Sequence, residues 1–374
     1  MKKVIFSTNL PSPYRVDFFN ELGKGCELTV LYERKNSAER DEKWTGEKAK
    51  NFKEIYLNLE AIGTDRSKGS ALKDYIKKAD FDLLILTNYV SPSTIEAIRY
   101  CKKKKIPYYV EYDGGANKKD PIHKRLLKQY LLGSASGHFT TSDEHKAYLE
   151  QLGIGPEKIY KYPFTSIKKE DLDRALTYQD INLQELKEKL GMAEEKILLS
   201  VGRFSYEAGY GKGYDVLMKL AKELPGDIGI YIVGDEPTEE FLQIKEKNKL
   251  EHVHFVGFKR KAELQDYYAA ADLFILLTRG DVWGLVVNEA MMHALPVIST
   301  PFCIAAKELV KEGENGYLVG LEEIEPIKKA VLDILEDEKR LAGYSKKSLE
   351  MIQDYTIEKM AERHMEIFGE IIKE

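Results

Sequence analysis

Two carboxylates, Asp281 and Glu289, bracket a glycine-punctuated turn and the start of a helix, with seven residues between them. The apolar run Leu273 to Leu277 reads as a buried strand, and Thr278 to Gly284 as a polar turn. A helix then begins near Leu285 and is stopped by Pro296, after which Val297 to Ser299 reads as the next strand. Such a unit of a parallel sheet sets a helix N-terminus at the carboxyl end of a strand, where open parallel sheets bind ligands. Free N–H groups near Gly284, Leu285 and Val286, with about half a positive charge from the helix dipole, suit a phosphate. An acid in that loop would repel the same phosphate, so Asp281 is expected to meet hydroxyls. Hydroxyls beside a phosphate describe a nucleotide-sugar.

Cations stand at a comparable place upstream. The strand Ile197 to Val201 is followed by Gly202 and Arg203, and then by Lys212 and Gly213 ahead of a helical stretch. Two cations beside a helix start can neutralise a diphosphate, the arginine bidentately. They would also stabilise charge growing on a departing diphosphate. Gly209, Gly211 and Gly213 predict a mobile loop that orders on binding. A second group lies in the first half of the chain. Tyr14 and Arg15 follow the first strand, Lys3 to Thr8, and Arg15 is a candidate for a phosphate. Asp113, with Gly114 and Gly115, follows the strand Ile106 to Glu111, and glycines there would let backbone approach a ligand closely.

These groups need a scaffold, and the pattern supplies one. Short apolar runs alternate with helical stretches from Lys3 to the end, the signature of α/β folding with parallel sheets. At 374 residues a single core is not expected. Residues 1–170 are read as an N-terminal domain, 171–195 as a linker, and 196–352, which hold the phosphate- and hydroxyl-type groups, as a second domain. A final helix occupies 353–374. The composition, 43% hydrophobic and 32% charged, fits a soluble globular chain rather than a disordered one. Three scattered cysteines suggest neither a disulfide framework nor a zinc site. No run approaches the ~20 apolar residues that span a bilayer. A cytoplasmic location is therefore expected.

The net charge of −5 hides an asymmetry: residues 1–170 carry an excess of eight positive charges and residues 171–374 an excess of thirteen negative ones. The basic half is a candidate for an anionic partner or an anionic membrane surface. Two stretches concentrate it: Lys102 to Lys105, and the amphipathic segment Pro121 to Leu132. The latter can lie on an anionic bilayer, or can be an ordinary half-buried helix.

The segment around Asp281 resembles the donor-binding signature of glycosyltransferase family 4, retaining enzymes of the GT-B fold. That signature pairs two glutamates seven residues apart with Ala-Met, small residues and Pro-Val-Ile. Gly284, Glu289, Ala290, Met291, Pro296, Val297 and Ile298 match it, and Asp281 stands one methylene shorter than the first acid. Gly202-Arg203 and Lys212-Gly213 match the family's cation pattern. Gly234-Asp235 resembles a further strand end, and Gly257-Phe258 the one whose amides read the base. The resemblance implies two Rossmann-like doubly wound domains facing a central cleft, with the last helix crossing back to the first domain. It implies transfer of a sugar from a UDP- or GDP-sugar to a glycan or lipid-linked acceptor, as in cell-surface polysaccharide biosynthesis. Glu289 would bind the ribose, Asp281 the donor sugar, and Arg203 and Lys212 the diphosphate. Tyr14, Arg15 and Asp113 would face the acceptor or donor. Many family members carry a histidine where Asp113 stands.

The mechanism implied for the family uses no cofactor and no metal. Asp171-Leu-Asp173 superficially matches the metal-binding acid pair of the other glycosyltransferase fold, but it opens a helical stretch and reads as a cap. Asp80-Phe-Asp82 precedes its strand rather than following it. No nucleic acid partner is expected. Two other functions stay open at this point: an epimerase or phosphorylase on the same fold, and a catalytically silent subunit binding glycan or nucleotide.

Overall fold

The computed structural model describes residues 1–35, 48–63, 66–115, 120–178, 181–205 and 207–372. The chain divides into two compact units, Met1–Ser166 with Thr356–Glu374, and Ile167–Tyr355. Part of the polar stretch read as a loop after Tyr32 lies outside the described residues, as does Tyr206 in the loop after Arg203.

Among the described residues the first unit has nine strands: β1 (Lys3–Thr8), β2 (Glu27–Tyr32), β3 (Lys53–Tyr56), β4 (Glu60–Ile62), β5 (Arg66–Lys68), β6 (Leu83–Leu86), β7 (Tyr109–Glu111), β8 (Gly137–Thr140) and β9 (Ile159–Lys161). Seven form one sheet in the order β3-β2-β1-β6-β7-β8-β9, with every pairing parallel. β4 and β5 make a small antiparallel hairpin beside it. The central strands are near-continuous apolar runs, Val4-Ile5-Phe6 and Leu83 to Leu86, buried on both faces as helix-covered parallel strands must be. The order reverses between β1 and β6. The crevice at such a reversal is where doubly wound sheets take ligands, and the chain leaves β1 there into the helix Pro13–Leu22, with Tyr14 and Arg15 in its first turn.

The helix Ile357–Ile371 belongs to this first unit although it ends the chain. Thr356 caps it, its side-chain oxygen accepting from the Lys359 N–H at 3.3 Å. One face, Ile357, Met360, Ala361, His364, Ile367 and Phe368, is wholly buried at helical spacing. Phe368 and His364 lie against Phe139 of β8, and His364 against Phe18 of the helix Pro13–Leu22.

Among the described residues the second unit has six strands: β10 (Lys196–Val201), β11 (Ile228–Val233), β12 (Val253–Gly257), β13 (Leu273–Leu276), β14 (Val297–Ser299) and β15 (Gly316–Leu318). They form one parallel sheet in the order β12-β11-β10-β13-β14-β15, which reverses between β10 and β13. Leu198, Ile230, Ile232, Leu273 and Ile275 pack with Val216, Leu217 and Leu220 of the helix Tyr214–Ala221, and with Phe241 and Ile327.

Residues 171–195, read as a linker, are largely helical. They fold into the helices Lys169–Thr177 and Leu183–Leu190, both within the second unit. Lys187 pairs with Asp272 at 3.2 Å and Lys189 with Asp266 at 2.9 Å, while the Tyr178 hydroxyl donates to Asp266 at 2.8 Å. The charges of the stretch have partners brought from elsewhere in the unit. Asp171 caps its helix by accepting from the Lys168 N–H at 3.2 Å and pairs with Lys261 at 2.7 Å.

Truncating Phe368 to alanine opens a cavity against Phe139 in the first unit. The expected cost is about 3–5 kcal/mol in chemical denaturation, the usual range for a buried phenylalanine. A loss near zero would show that the terminal helix is not part of this core.

Candidate functional site

The reversal point of the second sheet gathers the residues singled out around Asp281. Gly202 follows β10 at a place with no room for a side chain: a Cβ there would stand 2.8 Å from the Tyr214 hydroxyl and 3.2 Å from Lys212 Cγ. Gly234 follows β11 and is tighter still, since its Cβ would stand 1.8 Å from the Gly202 carbonyl oxygen. The two strand ends therefore meet backbone to backbone. Asp235 anchors the next turn, its carboxylate accepting from the N–H groups of Phe204 and of Ser205, the latter at 3.0 Å. Arg203 between them is exposed and has no hydrogen-bond or ion-pair partner among the described residues.

The Lys212 loop is tied down at its far end. Gly213, at φ +72°, starts the helix Tyr214–Ala221, and a Cβ on it would stand 1.8 Å from the Leu277 carbonyl oxygen. Only glycine allows that approach. The Thr278 hydroxyl and the Arg279 N–H both donate to the Gly211 carbonyl at 2.9 Å. The Arg279 guanidinium grips Asp215 through both nitrogens, at 2.7 and 2.9 Å, and donates to the Tyr210 carbonyl at 2.5 Å. The loop expected to be mobile is thus fastened at Tyr210, Gly211 and Asp215. Arg279 and Asp215 carried no sequence signal. An acid in the first turn of a helix is ordinary, and nothing local pairs it with an arginine 64 residues away.

This fastening brings Lys212 Nζ to 2.6 Å from Asp281 Oδ2, with both side chains mostly buried. Asp281 is fixed through its N–H, which donates to the Phe302 carbonyl at 3.0 Å. The exposed apolar side chains of Val282 and Phe302 flank it. Gly284, at φ +101°, begins the helix Leu285–Met292, and a Cβ there would stand 2.5 Å from Cys303 Sγ. Leu285 and Val286 contribute first-turn N–H groups ahead of the first intrahelical bond, which Val287 makes to the Gly284 carbonyl at 2.9 Å. Glu289 lies one turn further on, half-buried, and accepts from the Tyr268 hydroxyl at 3.0 Å. Tyr268, missed in the sequence, is buried in the helix Lys261–Ala270 and orients that carboxylate. Burial pushes the Cys303 thiol up to about 12, with the Asp281 charge adding to it, so it is not a thiolate nucleophile. Gly257 ends β12 at φ +74° and accepts from the Gly234 N–H at 3.2 Å, and Phe258 beyond it is exposed.

The residues predicted in the first unit form a separate constellation. Arg15 is not presented to a phosphate, which corrects the expectation. It is buried among Phe6, Phe18 and Phe164, and its guanidinium donates to Glu111 at 2.5 Å and to Asp113. An arginine at a helix start looks like a surface residue in the sequence; a buried carboxylate on β7 draws it inward. Glu111 also accepts from the Tyr162 hydroxyl at 3.4 Å and lies 3.0 Å from His364 Nε2, while His364 Nδ1 donates to the Met360 carbonyl at 2.7 Å. Burial would raise the Glu111 carboxyl, but Arg15 and His364 outweigh it and hold the group below its ordinary 4.5. Asp113 keeps its side chain 38% exposed, held by Arg15 and by the Tyr14 hydroxyl at 3.3 Å.

A histidine does reach this place, from a later helix. His145, in the first turn of the helix Asp143–Gln151, lies where a Cβ on Gly115 would stand 2.9 Å from its Cδ2. Its Nδ1 is 2.9 Å from the Thr140 hydroxyl, and burial lowers its pKa to about 4, so it is a neutral imidazole at pH 7. Sequence inspection at the end of β7 could not find it, because it comes from the next βα unit.

Two doubly wound parallel units with ligand-type loops at both reversal points define a GT-B fold. Solved structures share it. The chain superposes on Anabaena Alr3699/HepE in complex with UDP-glucose with a TM-score of 0.70, at 16% identity over 99% of this chain and 100% of that one. It superposes on WaaG, a glycosyltransferase involved in lipopolysaccharide biosynthesis, with a TM-score of 0.67, at 18% identity over 97% and 99%. Residues 183–351 match the family described as glycosyl transferases group 1. An uncharacterized glycosyltransferase of Haemophilus influenzae is 34% identical over 183 residues, 47% of this chain and 50% of that protein. An alpha-monoglucosyldiacylglycerol synthase of Acholeplasma laidlawii is 29% identical over 143 residues, 37% and 35% respectively. The chain thus spans about half or less of the length of these curated relatives.

Replacing Arg15 by leucine strands Glu111 without its main counter-charge and should cost about 3–5 kcal/mol. Glu111 has a depressed folded pKa, so its stabilisation is present above the unfolded value near 4.5 and is lost as pH falls through the folded one. Denaturation curves should therefore show the deficit of Glu111→Gln shrinking as pH drops below about 5. A deficit that grows on acidification would contradict the charge assignment.

Proposed function

We propose that the protein is a retaining glycosyltransferase of the hexosyl-transferring kind. It moves a sugar from a UDP- or GDP-sugar to a glycan or lipid-linked acceptor, in the synthesis of a cell-surface polysaccharide or glycoconjugate. The observation that carries this is the Lys212–Asp281 pair, 2.6 Å apart beside a helix N-terminus at the reversal point of the second sheet, with Glu289 one turn along. UDP-glucose as donor is supported by the complex of the similarly folded Anabaena protein. A glycolipid product is supported by the Acholeplasma relative's name.

The diphosphate lies against the N–H groups of Leu285 and Val286, with Lys212 and Arg203 supplying positive charge. Glu289, oriented by Tyr268, accepts from the ribose hydroxyls. Asp281 accepts from hydroxyls of the donor sugar, and its pairing with Lys212 keeps an acid tolerable beside a phosphate. The acceptor hydroxyl attacks the anomeric carbon from the face the diphosphate leaves. The bond from that carbon to the phosphate oxygen breaks, the bond to the acceptor oxygen forms, and the departing diphosphate takes the acceptor's proton. Lys212, Arg203 and the helix N-terminus stabilise the charge that develops, so the step needs neither a metal nor a side-chain nucleophile. Asp113 and Tyr14 in the first unit are the acceptor-side candidates, and the basic first half favours an anionic acceptor at the inner face of a membrane.

The test is diphosphate release from a panel of UDP- and GDP-sugars, with and without lipid-linked acceptors. Glu289→Ala and Lys212→Ala should each lower turnover at least about tenfold, a barrier change of roughly 1.4 kcal/mol, with unchanged circular dichroism. Wild-type activity in both variants, or no release from any donor, would remove the assignment.

A further inference from the structure

Glu289 is held from outside its own helix, and the hold runs outward through three rings. The Tyr268 hydroxyl donates to Glu289 Oε2 at 3.0 Å from a wholly buried position. Burial, with the Glu289 charge adding to it, pushes that hydroxyl well above its ordinary range, so it stays a donor. A hydroxyl is only as fixed as the ring that carries it. The Tyr268 ring lies nearly parallel to the His293 imidazole, with 12° between their planes and 5.7 Å between their centres. The Tyr178 ring meets the same imidazole at 70° and 5.5 Å. Both are favoured arrangements of ring pairs.

The two outer rings are each pinned by a bond of their own. His293 Nε2 donates to the Gln265 side-chain carbonyl at 2.7 Å, and the Tyr178 hydroxyl to Asp266 at 2.8 Å. The backbone at His293 is fixed too. His293 ends the helix Leu285–Met292, and Ala294 follows at φ +59°, left-handed backbone that glycine usually fills. The Ala294 N–H donates to the Met291 carbonyl at 3.0 Å and the Leu295 N–H to the Ala290 carbonyl at 3.1 Å, which closes the turn. A non-glycine residue kept in that conformation marks a turn that its surroundings over-determine. The helix that presents Glu289 therefore also presents, at its end, the ring against which Tyr268 packs.

We infer that His293, with Tyr178 behind it, is a positioning residue for Glu289: it sets the plane of Tyr268 and so the carboxylate that meets the ribose hydroxyls. The inference rests on the donor-site reading above and adds residues that act through Tyr268 rather than by touching the nucleotide. A carboxylate accepts from two neighbouring hydroxyls only when its plane matches theirs, and a misplacement of about 1 Å forfeits most of the gain. Loss of the ring pile should thus weaken recognition of the ribose. The diphosphate contacts should stay, since they come from Lys212, Arg203 and the start of the helix Leu285–Met292.

The test is calorimetry of the full chain with UDP and GDP, each beside its 2′-deoxy counterpart, which lacks one of the hydroxyls that Glu289 would meet. The ratio of the two affinities is the readout, because a merely structural role lowers both together. Wild type should prefer the ribonucleotide at least about tenfold. Tyr268→Phe and His293→Leu should each cut that preference to about threefold or less. His293→Phe, which keeps a flat ring against Tyr268, should retain it while losing the bond to Gln265 and some stability. No preference in wild type, a preference unchanged in His293→Leu, or one lost equally in His293→Phe would overturn the inference. Should His293→Leu not fold, Tyr178→Leu at a half-buried position decides: it removes the outer ring, and an unchanged preference there overturns the inference as well. Wild type that binds neither UDP nor GDP would remove the donor site itself, and this inference with it. Binding with an unchanged ratio in His293→Leu removes only the chain of rings and leaves the donor site standing.

Discussion

The absence of one Cβ, at Gly213, governs the second unit. With it the start of the helix Tyr214–Ala221 closes on the Leu277 carbonyl, and the end of β13 can share hydrogen bonds with the loop that precedes that helix. A single methyl group at 1.8 Å from that oxygen would push the two segments apart. Lys212 would move off with the loop, and Asp281 would lose its partner. The Arg279–Asp215 clasp then fastens an arrangement that the glycine makes sterically possible.

Charge is used differently in the two units. Around Lys212 and Asp281 the pair is mostly buried but keeps some accessible surface on each ion. Around Glu111 the ions are closed in by aromatic rings, and Arg15 and His364 have no accessible surface to offer a ligand. Burial makes such a cluster expensive to break. Its consequence at the surface is a fixed Asp113, which remains half-exposed at the end of β7. The last helix joins this cluster through His364, and so the end of the chain influences a residue beside the first reversal point.

The elements themselves were legible. Buried parallel strands are uniformly apolar, as in Leu83 to Leu86 and Leu273 to Leu276, and glycines or prolines punctuate them. Gly202, Arg203, Gly234, Gly257 and Asp281 of the second unit were legible too, because each lies at or within a few residues of a strand end whose direction is set by parallel pairing. Arg15 was misread, and the partners of residues 171–195 were not visible, for one reason. Charge in a sequence reads as solvation unless its partner is visible, and the partners Glu111, Asp266 and Asp272 come from distant elements. His145 was hidden because a neighbouring βα unit delivers it.

By itself the amino-acid order determined the run of strands and helices, the places where ligand-type loops leave the sheets, and the residue types waiting there. Those follow from periodicity and local backbone chemistry, which short windows contain. Only the tertiary structure decided which charges are spent on one another and which face outward. The helix Ile122–Leu132 shows why: amphipathicity is a property of a helix alone, but the side it presents to water depends on where Leu131 and Leu132 find their core.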